Sequence, residues 1–251
     1  MRKSSSKTNA GDALEISATE YERMEGSASN MHQTTLTLHN EKQFDAVVLV
    51  HGLFATRRSM QPAQKHLEQR GFFVLNFGYP SYLRSVDHYS QRLIPVLRRM
   101  ARDEGIRSIN FLTHSFGGIL VRSALQKEWN AKIRRAVMLA PPNAGSKLAR
   151  YSRGAFDRLF PVVRQISDEP NSLPNRMPNP SGMDIGVIAA ARDFVVSAAS
   201  TTLATQQDHC VLPTTHFALP SCREALVRAV QFLQHGSFSL PQQTPVLSRA
   251  A

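Results

Sequence analysis

The chain has 251 residues, 42% of them apolar, and 30 Lys and Arg against 19 Asp and Glu give it a formal net charge of +11. That length and apolar share fit a single core, and two cysteines, Cys210 and Cys222, read as thiols rather than a disulfide framework. The basic balance invites a nucleic-acid reading, but no binding motif accompanies it. Arginines such as Arg92, Arg98, Arg99 and Arg102 fall at the spacing of a solvated helix face, so no nucleic-acid partner is expected.

Residues 1–31 start basic, at Met1-Arg2-Lys3, and continue polar with acidic residues and no apolar core. They match neither a secretory signal nor a membrane span, so the segment is expected to be disordered and the protein cytoplasmic. Gln33-Thr34-Thr35-Leu36-Thr37-Leu38 alternates weakly and predicts an edge strand.

Ala46-Val47-Val48-Leu49-Val50 is a continuous apolar run of the kind found in a strand covered on both faces, and it ends at His51-Gly52-Leu53-Phe54. Phe72–Phe77 predicts a second buried strand, followed by Gly78-Tyr79-Pro80-Ser81. A third, Ile109-Asn110-Phe111-Leu112, runs into Thr113-His114-Ser115-Phe116-Gly117-Gly118, after which Ile119, Leu120, Ala124 and Leu125 recur at helical spacing. A strand turning sharply into a helix exposes the residue at its apex, here Ser115, provided its neighbours are small. Gly117 meets that need after the serine, whereas Thr113 stands where G-x-S-x-G has its first glycine.

Arg135–Ala140 is a fourth predicted strand. Between about 144 and 182 the pattern breaks up around Pro161, Pro170, Pro174, Pro178 and Pro180, too short for a domain and read as a lid. Ile185–Ala190 and His209–Leu212 are two further strands, and Pro220-Ser221-Cys222 leads into a last helix. Strand and helix alternate throughout, which predicts an α/β fold with a mostly parallel sheet and helices on both faces. The expected division is 1–31, a domain over 32–240, and a tail over 241–251. In such a sheet active groups gather at the carboxyl ends of the strands, where His51 and Ser115 both fall.

Taken in order, Val50-His51-Gly52-Leu53, Gly78–Ser81, His114–Gly118, Ala140–Ser146, Asp184–Ala189, Asp208–Pro213, His216 and Phe232–Gly236 resemble an α/β-hydrolase of the bacterial lipase and esterase type. The resemblance implies acyl transfer from a carboxylic ester or lipid to water, with a serine, an acid and a histidine in that chain order and no cofactor. Ser115 becomes the nucleophile. His216, in the loop after the last strand, becomes the base, while His114 and His209 read as packing residues and His51 as part of the oxyanion loop. Asp193, before a valine-containing loop that follows a strand, is the expected acid, and Asp208 at the start of the last strand is the alternative. The oxyanion would meet the backbone N–H groups of Leu53 and Phe116.

No H-E-x-x-H, Walker loop or zinc-spaced cysteine pair competes, so no metal is expected. An acyltransferase or thioesterase would use the same triad, and a hydrolase-like binding protein without catalysis is the remaining alternative. Lys147, Arg150, Arg153, Arg158 and Arg164 cluster in and beside the lid against Asp157. They either solvate that segment or face an anionic substrate or anionic membrane surface.

Overall fold

The computed structural model describes residues 43–151 and 160–239. The predicted segment 1–31, the edge strand at Gln33–Leu38, the tail at 241–251 and residues 152–159, with Arg153 and Arg158, lie outside the described residues.

Six parallel strands form one sheet: β1 (Phe44–Val50), β2 (Phe73–Phe77), β3 (Ile106–His114), β4 (Ile133–Leu139), β5 (Asp184–Arg192) and β6 (Asp208–Thr215), in the order β2-β1-β3-β4-β5-β6. The centre of the sheet is built from the apolar runs because both faces are covered. Ala46, Val48 and Val50 face one core with α2 (Val86–Arg102) and α3 (Phe116–Lys127), whereas Val47 and Leu49 face the other with α1 (Gln61–Glu68). The period-two alternation of a strand thus serves two separate helix layers.

The helices follow local rules. Ser85 caps α2, its hydroxyl oxygen accepting from the N–H of His88 at 3.2 Å. Tyr89, Leu93, Leu97 and Met100 then bury one stripe at spacings of three and four. In the stretch expected to be a lid, the described residues hold three short helices, α4 (Lys147–Tyr151), α5 (Pro161–Gln165) and α6 (Leu173–Arg176). The last helix, α7 (Arg223–His235), packs on the α1 face and ends at Gly236, whose φ of 81° provides the left-handed cap. Among the described residues no helix is long and apolar enough to cross a membrane.

Candidate active site

Three residues other than glycine have positive φ among those described: Phe54 at 56°, Ser115 at 52° and Ala140 at 44°. They follow β1, β3 and β4, so all three lie at the carboxyl edge of the sheet. Backbone strain of this kind is maintained only where surrounding structure over-determines it.

Ser115 sits between the last residue of β3 and the first of α3, and its N–H donates to the carbonyl of Leu139 at 2.8 Å. The turn closes because Gly117 has no side chain. A Cβ there would fall 2.3 Å from Val50 O and 2.8 Å from His51 O, both backbone atoms that cannot swing away. Gly117→Ala is therefore expected to destabilise the fold by about 3 kcal/mol, at the upper end for overpacking, and to lower the melting temperature by roughly 6–12 °C. At Gly118 the nearest atoms, Pro141 Cβ at 3.1 Å and Thr113 Oγ1 at 3.3 Å, belong to side chains. Gly118→Ala should be clearly milder, and equal melting of the two variants would contradict this account. The same distances explain how Thr113 is accommodated: the room expected from a small residue at 113 is supplied by Gly118.

Phe116 opens α3, so its N–H is one of the orphan donors of a helix's first turn. The loop after β1 passes close beside it, since a Cβ on Gly52 would lie 3.1 Å from His114 Nδ1 and 3.2 Å from Ser115 Cβ. That loop is fixed from β2: Tyr79 donates its hydroxyl to the carbonyl of His51 at 2.7 Å, and the two rings stack at 4.3 Å. Burial pushes the Tyr79 phenol well above its ordinary value, so it remains a donor.

His216 follows β6 and is buried; its Nδ1 lies 2.7 Å from Asp193 Oδ2, beyond the end of β5. The other carboxylate oxygen, Oδ1, accepts from the N–H groups of Val195 and Val196 at 2.8 Å each. Burial raises the Asp193 pKa, but His216 and the two amides outweigh it and hold the carboxyl below its ordinary value. A carboxylate at Nδ1 fixes the tautomer that leaves Nε2 as an acceptor. Asp208 is engaged elsewhere, accepting from the Ser237 hydroxyl at 3.0 Å and the Phe238 N–H at 2.7 Å. His209 reaches the Thr201 hydroxyl at 3.2 Å.

The residues that hold this arrangement were not apparent from the sequence. His114 Nε2 donates to the carbonyl of His216 at 3.0 Å, tying the residue before Ser115 to the residue after β6. Ser146 donates to Val195 O and Asn143 Nδ2 to Thr201 O, each at 2.7 Å, which pins the segment after Asp193. Arg122, buried in α3, donates to Asn143 O and Oδ1 at 3.3 and 3.2 Å and to Pro174 O and Met177 O at 3.3 and 3.2 Å. Burial lowers its pKa to about 10, which leaves it charged at neutral pH. The predicted basic cluster is partly engaged, because Arg150 pairs with Asp168 at 3.2 Å.

Burial, with the nearby His216 adding to it, brings His114 down to about 3 from 6.5. The folded protein thus excludes a proton that the unfolded chain binds below pH 6.5. Stability from this group is complete above that pH and is lost progressively as pH falls toward 3. Between pH 6.5 and 5 the loss should be roughly 2 kcal/mol. Urea unfolding at the two pH values should show it, and His114→Asn should flatten the slope; an unchanged slope would remove His114 as its source.

The sequence pattern of the alpha/beta hydrolase family matches residues 47–236. The chain belongs to the alpha/beta hydrolase family. Among solved structures this hydrolase is similar to the lipase BlEst2 of Bacillus licheniformis in its mature form, with a TM-score of 0.58 at 16% identity over 79% of this chain and 94% of that one. A metagenomic carboxyl esterase gives 0.58 at 17% identity over 76% and 75%. Est1E from Butyrivibrio proteoclasticus gives 0.52 at 12% over 77% and 87%. At such identities the likeness is one of fold. No curated protein matches this hydrolase in sequence.

Proposed function

We propose that this hydrolase cleaves carboxylic esters through an acyl-enzyme on Ser115, with His216 as general base and Asp193 as its orienting acid. The observation that carries the reading is the hydrogen bond of 2.7 Å between His216 Nδ1 and Asp193 Oδ2, at the same sheet edge as the strained Ser115. In the first step Ser115 Oγ attacks the ester carbonyl carbon and its proton passes to His216 Nε2. In this reading the N–H groups of Phe116 and Leu53 stabilise the oxyanion as charge develops on it. Collapse of this intermediate breaks the bond to the alcohol oxygen, which takes the proton from Nε2. Water, deprotonated by the same nitrogen, then attacks the acyl carbon and restores the serine.

Labelling by a fluorophosphonate, which reacts only with an activated serine, tests the nucleophile. A panel of p-nitrophenyl esters of increasing chain length tests the substrate class. Labelling at Ser115 with turnover of the panel supports an ester hydrolase; no labelling of the folded protein would replace it with a catalytically silent binding protein.

A further inference from the structure

The six most exposed large apolar side chains among the described residues are Phe194, Phe217, Tyr151, Leu83, Leu148 and Phe54, at 93, 76, 74, 54, 52 and 50%. Phe54 follows β1, Leu83 follows β2, Leu148 and Tyr151 follow β4, Phe194 follows β5 and Phe217 follows β6. Since the strands are parallel, these segments share one edge of the sheet. The next most exposed are Val211, Phe44, Trp129 and Val227, at 43–47%, and they stand elsewhere: within an edge strand, at a strand's start, after α3 and on α7. Single exposed apolar residues are ordinary, but their concentration on one edge is not. Phe54 also continues into its neighbours, with its ring centroid 5.6 Å from that of Tyr82 and 5.2 Å from that of Phe160.

Charge on this edge has one dominant sign. Arg57, Arg58, Arg84, Lys147, Arg164 and Arg176 lie in the described segments that follow the strands. Up to the first turn of the helix that follows, the carboxylates of these segments are Asp87, Asp168 and Glu224, paired with Lys127, Arg150 and Arg228, together with Glu169 and the buried Asp193. A second copy of the chain seated on this edge would set cations against cations. An anionic headgroup layer would neutralise them while apolar side chains enter the acyl boundary beneath.

We propose that the carboxyl edge of the sheet docks on a bilayer bearing anionic headgroups, with Phe194 and Phe217 as its apolar anchors. The surface surrounds the proposed reaction centre and would give it a lipid-borne ester as substrate. Docking itself is read on the Ser115→Ala protein, so its failure and the failure of the catalytic reading are distinguishable.

The full chain carrying Ser115→Ala is sedimented with phosphatidylcholine vesicles with and without phosphatidylglycerol. Recovery should be higher with phosphatidylglycerol and should fall as salt rises from about 0.1 to 1 M, where the Debye length shrinks from about 10 to 3 Å. Adding Phe194→Ser and Phe217→Ser should weaken binding by about tenfold or more. Val211→Ser with Val227→Ser, the same chemistry away from this edge, should leave it unchanged. Equal recovery on both vesicles at both salt concentrations overturns the proposal without any variant. So does equal binding by the Phe194 and Phe217 variant, shown folded by its melting curve, or a dimer in sedimentation velocity that this variant abolishes.

Discussion

Replacing Ser115 by alanine is expected to lower ester hydrolysis by about 10³-fold or more and to leave the melting temperature nearly unchanged. Ser115 is buried at the sheet edge, but the change removes a single oxygen atom, and alanine keeps the Cβ that serine already carries at φ 52°. What remains should be the contribution of substrate binding and of the oxyanion donors. His216→Ala should be as damaging, and the double variant little worse than either single one, because the proposed mechanism uses the two side chains as a unit. The comparison is made on kcat/KM for one p-nitrophenyl ester, with melting curves recorded alongside. Near-normal turnover by the folded alanine variant would end the nucleophile assignment.

Asp193→Asn should reduce the rate by roughly 10²–10⁴-fold, for a reason visible in the hydrogen bonds. The N–H groups of Val195 and Val196 both point at Oδ1, so the single oxygen of an asparagine is drawn there. Its amide nitrogen then faces His216 Nδ1 as a donor and stabilises the tautomer with the proton on Nε2, which cannot accept from serine. Asp208→Asn should leave the rate within a few-fold of the parent. Its carboxylate serves Ser237 and the Phe238 N–H, so its replacement is expected in the melting curve instead. A large rate loss confined to Asp208→Asn would move the acid to that position.

The strands most readily read from the sequence are those whose faces are both covered, because burial on two sides leaves an apolar run with little alternation. Their ends were harder. β3 begins at Ile106 rather than Ile109 because Arg107 and Ser108 are polar residues satisfied across the sheet, with Ser108 donating to Asp45 at 2.6 Å. β6 continues through Pro213 to Thr215, and it can do so because it is an edge strand, where a missing N–H need not break a ladder. Asp193 and His216 could be located because each stands just past a strand that the pattern marks. His114 and Arg122 could not be: their partners are carbonyl oxygens far along the chain, and a carbonyl is present at every position of any sequence. No residue type signals such a bond.

Arg122 has a bearing on how this protein could be re-engineered. Its guanidinium engages the carbonyls of Asn143, Pro174 and Met177, so the two ends of the intervening segment are moored to the helix that begins after Ser115. A chimera that exchanges this segment with one from another protein should be spliced inside those moorings, after Asn143 and before Pro174. Splicing outside them would leave a buried cation without acceptors. That fault would arise in the scaffold rather than in the graft, and screening graft sequences would not repair it.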